Sequence, residues 1–144
     1  MSDPVVMTGG MQTVATESVR GGVNRRAFGA EAELVAGVHL EELGYRILDR
    51  NWTCRWGELD LVAERGDTLC FVEVRMRSHA AWGDPSTTVS GAKQRKVVKA
   101  ALHWLFEHGG AGRDRMIRFD VITVLGRGLT ARVEHLPGAF DAGM

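Results

Sequence analysis

The sequence predicts an α/β domain with the element order α, β, β, β, α, β. Two observations carry this prediction. Two segments have apolar residues at helical spacing, and a pair of strand-like runs around a short turn lies between them. The chain has 144 residues, of which 44% are hydrophobic and 25% are charged. This composition is ordinary for one globular domain with a single core, so two domains are not expected.

The first predicted element is a helix from Arg25 to Leu43, with an arm before it. Residues 1–24 contain many Gly, Thr, Val and Ser residues without helix or strand periodicity. They predict a flexible arm ahead of a single domain at residues 25–144. Helix formers dominate the next segment, and Leu34 and Val38 lie one helical turn apart, which is typical of an apolar helix face.

Gly44 follows this helix as a C-cap, and an extended region begins after it. This region comprises Tyr45–Leu48 and Asn51–Trp56, and Gly57 interrupts the chain at its end. Strand-forming residues between turn residues are typical of a β-strand, so a first strand is expected here.

The central segment, GELDLVAERGDTLCFVEVRMR, predicts a β-hairpin because two strand-like runs flank an Arg-Gly-Asp turn. Side chains on a strand alternate between its two faces. Glu58 and Asp60 should therefore share one face of the first strand, while Leu59, Leu61 and Ala63 take the other.

The length of the hairpin turn decides which residues face each other. A two-residue turn at Arg65 and Gly66 would set Asp60 opposite Phe71, whereas a four-residue loop would set Asp60 opposite Glu73. Either arrangement places both carboxylates on one face, adjacent or diagonal. Only an odd loop or a bulge would separate them.

The second half of the chain predicts a loop, a helix and two strands. Residues 78–89 hold Gly, Pro and hydroxyl residues, and such a long loop is often functional. Ser90 is the expected cap of a helix that ends near residues 109–110. Met116–Leu125 is a further strand, and Ala131–His135 a last short one. The apolar residues at helical spacing in the second helix are Val97, Val98, Ala101, Leu102 and Leu105.

Two carboxylates together on a partly apolar face call for a cation between them. Mg²⁺ suits such a site, because it takes one or two protein carboxylates and completes its shell with water and phosphate. The alternative is that Glu73, Arg75 and Arg77 form cross-strand ion pairs with Glu58 and Asp60 on a solvent-facing sheet surface, worth under about 1 kcal/mol each. Leu69 and Phe71, on the same face as Glu73, favour burial and hence the metal site.

Bulk properties exclude several classes of protein. The net charge is zero, so overall charge gives no attraction to nucleic acid or lipid. No segment approaches the roughly 20 apolar residues of a membrane span. The N-terminus lacks a secretory signal, which predicts a cytoplasmic protein. Cys54 and Cys70 form no CxxC pair and are expected to be reduced thiols.

The sequence resembles the YraN-like proteins, an uncharacterised bacterial family. The resemblance covers roughly residues 25 to 140. It rests on the hairpin string, on AEAELVAGVHLEELGYRILDRNW before it, and on GAKQRKVVKAALHWL and RFDVITV after it. It implies a restriction-endonuclease-like fold akin to archaeal Holliday-junction resolvases. That fold has an αβββαβ core in which helices flank a mixed central sheet.

By this resemblance, the metal ligands of the PD-(D/E)XK pattern fall on Asp60 and Glu73, and Arg75 stands where lysine is usual. Glu33 matches the acidic residue that such resolvases often add to the site, with Glu31 as the nearby competitor. Arginine keeps its proton, so Arg75 cannot be a general base. It can still hold a phosphate or stabilise a hydroxide.

The predicted DNA contacts lie around this site. Lys93 could supply a compact ammonium to the site or contact a backbone phosphate, and its cluster could equally be a solvated helix face. Trp52, Trp56 and Trp82 could stack unpaired bases, but core or rim packing is the favoured interpretation of each. Trp82 is the best candidate of the three for stacking, because it follows the hairpin directly. The predicted nucleic-acid-binding residues are Arg77, Lys93, Lys96, Lys99 and Trp82.

Two functional hypotheses follow. The first is an endonuclease that uses Mg²⁺ or Mn²⁺ and acts on structured or branched DNA, the substrate class coming from the family analogy. The second is a nuclease fold without turnover that binds DNA or a protein partner, with Arg75 marking the loss. A homodimer is a further expectation, since related resolvases pair two sites across a symmetric junction.

Overall fold

Five strands form one mixed sheet in the computed structural model, which describes residues 25–77 and 89–142. The predicted arm at residues 1–24 and most of the predicted loop, including Trp82, lie outside the described residues. The elements in chain order are α1 (Arg25–Glu42), β1 (Arg46–Cys54), β2 (Gly57–Arg65), β3 (Thr68–Arg77), α2 (Gly91–Glu107), β4 (Met116–Leu125), a 3-10 turn (Gly128–Thr130) and β5 (Arg132–Phe140).

The strands lie in sequence order across the sheet. β3 and β4 are parallel and are joined through α2, whereas every other neighbouring pair is antiparallel. The predicted α/β class and the αβββαβ order are therefore confirmed. The last strand is longer than predicted, since β5 continues to Phe140. Neither of the two described helices is long and apolar enough to cross a membrane.

Helix α1 covers one side of the sheet, but with a different face from the predicted one. Among residues 29–42, its buried side chains are Ala32, Ala36 and Leu40, spaced four apart, and Gly37 is buried beside them. Leu34 and Val38 are 59% and 52% exposed, so the prediction of an apolar face there was wrong. Small alanines let the helix approach the strands closely, and the larger Leu40 completes the contact.

Helix α2 covers the other side of the sheet. Ser90 caps it, because its side-chain oxygen accepts a hydrogen bond from the Lys93 backbone N–H at 3.2 Å. Trp104 is 2% exposed and packs edge-on against Phe71, with ring centroids 5.7 Å apart. Leu102, predicted for the apolar face, is 54% exposed. The sheet therefore has one apolar cluster under each helix.

The hairpin turn consists of Gly66 and Asp67, with Arg65 paired to Thr68. Gly66 has φ +58, a conformation that glycine adopts without strain. The register pairs Leu61 with Val72, which is the register that a four-residue loop at residues 65–68 would give. The turn itself has only two residues, because Arg65 and Thr68 also pair.

A buried charge network joins β4 to its neighbours. The Asp120 carboxylate is fully buried and accepts hydrogen bonds from Arg118 Nε and Nη2, both at 2.8 Å, and from the Gly138 N–H at 3.0 Å. His135 Nε2 is 2.9 Å from the same carboxylate. Burial alone would raise the pKa of Asp120, but these hydrogen bonds lower it to about 2. Arg118 also reaches the Tyr45 hydroxyl at 2.5 Å.

Candidate functional site

Asp60 and Glu73 form a buried carboxyl pair where the β2–β3 ladder ends. The register extended by one residue would set them opposite each other, but the paired residues stop at Leu61 and Val72. Instead, the Val74 N–H donates a hydrogen bond of 2.8 Å to Asp60 Oδ2. Asp60 and Glu73 are only 7% and 9% exposed.

Strand alternation breaks at Asp60. Leu59 packs in the cluster under α2, whereas Leu61 and Ala63 pack in the cluster under α1. The expectation that these three residues share a face was therefore wrong. On β1, Asn51 lies between the partners of Leu59 and Leu61 and has φ +48, whereas the register shift of this ladder lies between Ile47 and Asp49. The break in alternation at Asp60 coincides with the end of the β2–β3 ladder, where the Asp60 carboxyl accepts the Val74 N–H.

The two carboxyl groups titrate as a pair. Burial, and then the charge of Glu73, raise the pKa of Asp60 to about 8, although the Val74 N–H opposes the shift. Burial also raises the pKa of Glu73, while Lys93 and a hydrogen bond with Asp60 oppose that rise. The pair therefore retains a proton to a higher pH than either isolated carboxyl group would, and a hydrogen bond joins the two groups.

Lys93 provides the positive charge next to this pair. Its Nζ lies 3.4 Å from Glu73 Oε2, and the Ser90 cap fixes the first turn of α2, where it stands. About half of the Lys93 side chain is exposed, so the ammonium faces both Glu73 and solvent. A lysine from α2 thus supplies the compact cation that the hairpin lacks at Arg75.

Glu33 is the third acidic residue near the pair. Burial raises its pKa, Asn51 opposes this through a hydrogen bond, and the charges of Glu58 and Glu73 raise it further. Glu31, the competing candidate, points elsewhere: its carboxylate accepts hydrogen bonds from the Gly128 N–H at 2.8 Å and from Arg127 at 3.2 Å. Of the two helix acids, Glu33 is therefore the one that adjoins the buried pair.

The two arginines of β3 follow Glu73 along the strand. Val72, Val74 and Met76 pack toward α1, so alternation sends Glu73 and Arg75 to the opposite face. Arg75 is half-buried there. Arg77, at the end of β3, donates a hydrogen bond of 2.7 Å to the Met76 carbonyl oxygen. Arg75 thus shares its face with Glu73.

The remaining predicted DNA contacts lie on α2, where Lys96 and Lys99 are exposed. The Lys99 ammonium lies 5.1 Å from the ring centroid of Trp56. Sequence patterns did not single out Asn51 or Glu58 as part of the site. No sequence signal marks Asn51. Glu58 could have been placed near Asp60 from the sequence, because it stands two residues before Asp60 on the same strand.

The donor chemistry of this site fits a hard divalent cation. A bound cation would stabilise the ionised form of both buried carboxyl groups. Carboxylate oxygens are ligands that Mg²⁺ and Mn²⁺ prefer. Across residues 25–77 and 89–142, no three acidic, His or Cys side chains stand close enough to form a complete ligand set. A metal here would therefore rely on water and substrate oxygens for the rest of its shell.

The fold and site define a class: an α/β protein with an αβββαβ core and a buried acidic pair on its central hairpin. The chain belongs to the uncharacterised protein family UPF0102, whose model matches residues 32–124. This assignment confirms the resemblance to the YraN-like proteins.

Relatives in this family come from several bacteria. A UPF0102 protein of Myxococcus xanthus is 65% identical over 83% of this chain and 94% of its own length. One from Anaeromyxobacter dehalogenans is 49% identical over 83% of this chain and 88% of its own length. One from Geobacter metallireducens is 40% identical over 83% of this chain and 96% of its own length.

Proposed function

We propose that this protein is a metal-dependent DNA endonuclease. The observation that supports this most is the buried Asp60–Glu73 pair, in which burial raises the pKa of both carboxyl groups. Burying two carboxyl groups together costs folding free energy unless a bound ligand offsets it. Groups with strongly shifted pKa values are concentrated in active sites.

Asp60 and Glu73 would hold Mg²⁺ or Mn²⁺, with Glu33 as a third acid from α1. A divalent ion bound there lowers the pKa of water and neutralises charge on a phosphate. The protein's own contribution is positioning: the Val74 N–H fixes Asp60, and Asn51 holds Glu33.

Lys93 and Arg75 supply positive charge for a phosphodiester. Lys93 is half-exposed and contacts Glu73, so its ammonium can also donate a hydrogen bond to a phosphate oxygen that approaches from solvent. Arg75 stays protonated, and its role is electrostatic. The exposed lysines of α2 continue the positive surface away from the site. Structured or branched DNA is the proposed substrate class, by the resemblance to resolvases, and a homodimer would present two sites to a symmetric junction.

The test is cleavage of single-stranded, duplex and branched DNA by purified protein with Mn²⁺. Cutting should disappear in Asp60→Asn and Glu73→Gln. It should persist in Glu107→Gln, which removes an exposed acid on α2 far from the pair in sequence. Absence of cutting on every substrate, or cutting by Asp60→Asn at the wild-type rate, would refute the assignment.

A second candidate function is a DNA- or protein-binding module without turnover. The ion pair between Lys93 and Glu73 favours it, because an ammonium already neutralises one of the two acids. Arg75→Lys separates the two proposals. A cut that appears only in this variant would indicate a site that has lost turnover, whereas equal cutting in both proteins would show that arginine suffices.

A further inference from the structure

Trp56 is an exposed aromatic residue four positions before Asp60 in the chain. It lies in the turn between β1 and β2, is 39% exposed, and belongs to neither apolar cluster. Trp104, by contrast, is buried and Trp52 packs against the core. The turn contacts α2 beside Trp56, because a Cβ at Gly57 would lie 3.4 Å from the Lys96 carbonyl oxygen.

Cations surround the Trp56 ring. The Arg55 guanidinium lies 5.0 Å and the Lys99 ammonium 5.1 Å from the ring centroid, and the His103 ring lies 5.8 Å away. In the part of the chain that the structure describes, Arg55, Lys96 and Lys99 form no salt bridge with a carboxylate. Their charges are therefore available to an anionic partner.

A groove of about 280 Å³ lies between the β1–β2 turn and α2. Its lining includes Gly57, the chain neighbour of Trp56, and Glu58, and on α2 it includes Lys93 and Lys96. Lys93 also contacts Glu73 of the acidic pair.

We propose that Trp56 stacks on an unpaired base of DNA in which a single-stranded segment adjoins a duplex. This inference rests on the proposed endonuclease function and names its substrate class. In a duplex the faces of the bases are buried in the stack, so an indole can stack only on an unpaired base. Cations alone would bind any DNA, and it is the exposed ring among them that selects single strands.

The first experiment measures binding without cleavage. Fluorescently labelled duplexes with and without a single-stranded tail are titrated with full-length protein in Ca²⁺. One stacked base is worth about 5- to 150-fold in affinity. Trp56→Ala should weaken binding of the tailed duplex about tenfold and leave the blunt duplex unchanged, whereas Trp56→Phe should retain most of the affinity.

Phe106→Ala is the matched control, because Phe106 is an aromatic residue near the end of α2 that is 84% exposed. It should leave both affinities unchanged. Lys99→Ala should weaken both duplexes and lower the slope of log affinity against log salt by about one. Equal loss on tailed and blunt DNA in Trp56→Ala would overturn the stacking proposal, as would no loss on either.

Cleavage of the same DNAs in Mn²⁺ separates this inference from the endonuclease proposal. Cutting that requires Asp60 but ignores both the tail and Trp56 would keep the endonuclease and overturn the stacking role. Tail binding that requires Trp56, with no cutting by any protein, would overturn the endonuclease and keep the binding surface. An RNA tail bound more than tenfold tighter than the DNA tail would overturn the assignment to DNA.

Discussion

Replacing Asp60 by Asn should stabilise the metal-free protein while removing its function. At neutral pH, folding forces Asp60 to take up a proton that the unfolded chain does not hold, because its pKa rises from 3.8 to about 8. Asn resembles the protonated acid: its oxygen can accept the Val74 N–H, and its amide can donate to Glu73. The variant should therefore avoid the cost of protonation.

The magnitude follows from the interval between the two pKa values. At about 1.4 kcal/mol per unit, four units set an upper limit of roughly 6 kcal/mol above pH 8. Relaxation and water entry reduce such penalties in real proteins, so we expect a gain of about 2 kcal/mol at pH 7. A raised acid pKa opposes folding increasingly as pH rises from about 4 to about 8. The gain from Asp60→Asn should therefore vanish near pH 4 and be largest near pH 8.

The assay is urea unfolding, followed by circular dichroism in EDTA, at pH 4, 5.5, 7 and 8. Asp67→Asn makes the same chemical change at an exposed turn residue and is the control. Subtracting the wild-type curve from each variant removes the other titrating groups. If Asp60→Asn were destabilising by more than about 1 kcal/mol at pH 7, or if its effect did not change with pH, the reasoning would be refuted.

Three further predictions concern the site and the core. Asp120→Ala should lower the free energy of unfolding in urea by about 3 to 5 kcal/mol, because it leaves the Arg118 charge uncompensated. The stability that Asp120 provides is present above about pH 4 and should be lost as the pH falls toward the Asp120 pKa of about 2. Lys93→Gln should slow single-turnover cleavage in Mn²⁺ by about 10- to 100-fold while the protein remains as stable as wild type within about 1 kcal/mol; unchanged cleavage would exclude Lys93 from the reaction. Mn²⁺ binding measured by calorimetry should release a proton and tighten about tenfold per unit between pH 6 and 8, since Asp60 must ionise; affinity independent of pH would count against Asp60 as a ligand.

Local sequence patterns were sufficient to predict most of the fold. Alternation and turn residues indicated the hairpin, and helical spacing with a Ser90 cap indicated α2. They failed on the α1 face, where alanines rather than Leu34 and Val38 are buried. Hydrophobicity alone favours large side chains for a core. Close helix–sheet packing favours small ones, and that depends on tertiary distances that spacing does not contain.

The site was predictable in its residues and less so in its geometry. Asp60 and Glu73 follow from alternation across the hairpin, but the break in alternation at Asp60 and its hydrogen bond with the Val74 N–H arise only in the folded sheet. The contact of Lys93 with Glu73 joins residues twenty positions apart and arises only once α2 crosses the sheet. Trp56 illustrates the same limit, because its exposure follows from the packing of the turn on α2.

The most direct test of a metal site at Asp60 and Glu73 is a crystal structure of the protein soaked in Mn²⁺, with anomalous diffraction data. The account predicts an anomalous peak bound by both carboxylates, with the proton of Asp60 displaced and Lys93 moved away from Glu73. Crystals that show no such peak, with the Lys93–Glu73 ion pair intact at saturating Mn²⁺, would contradict it.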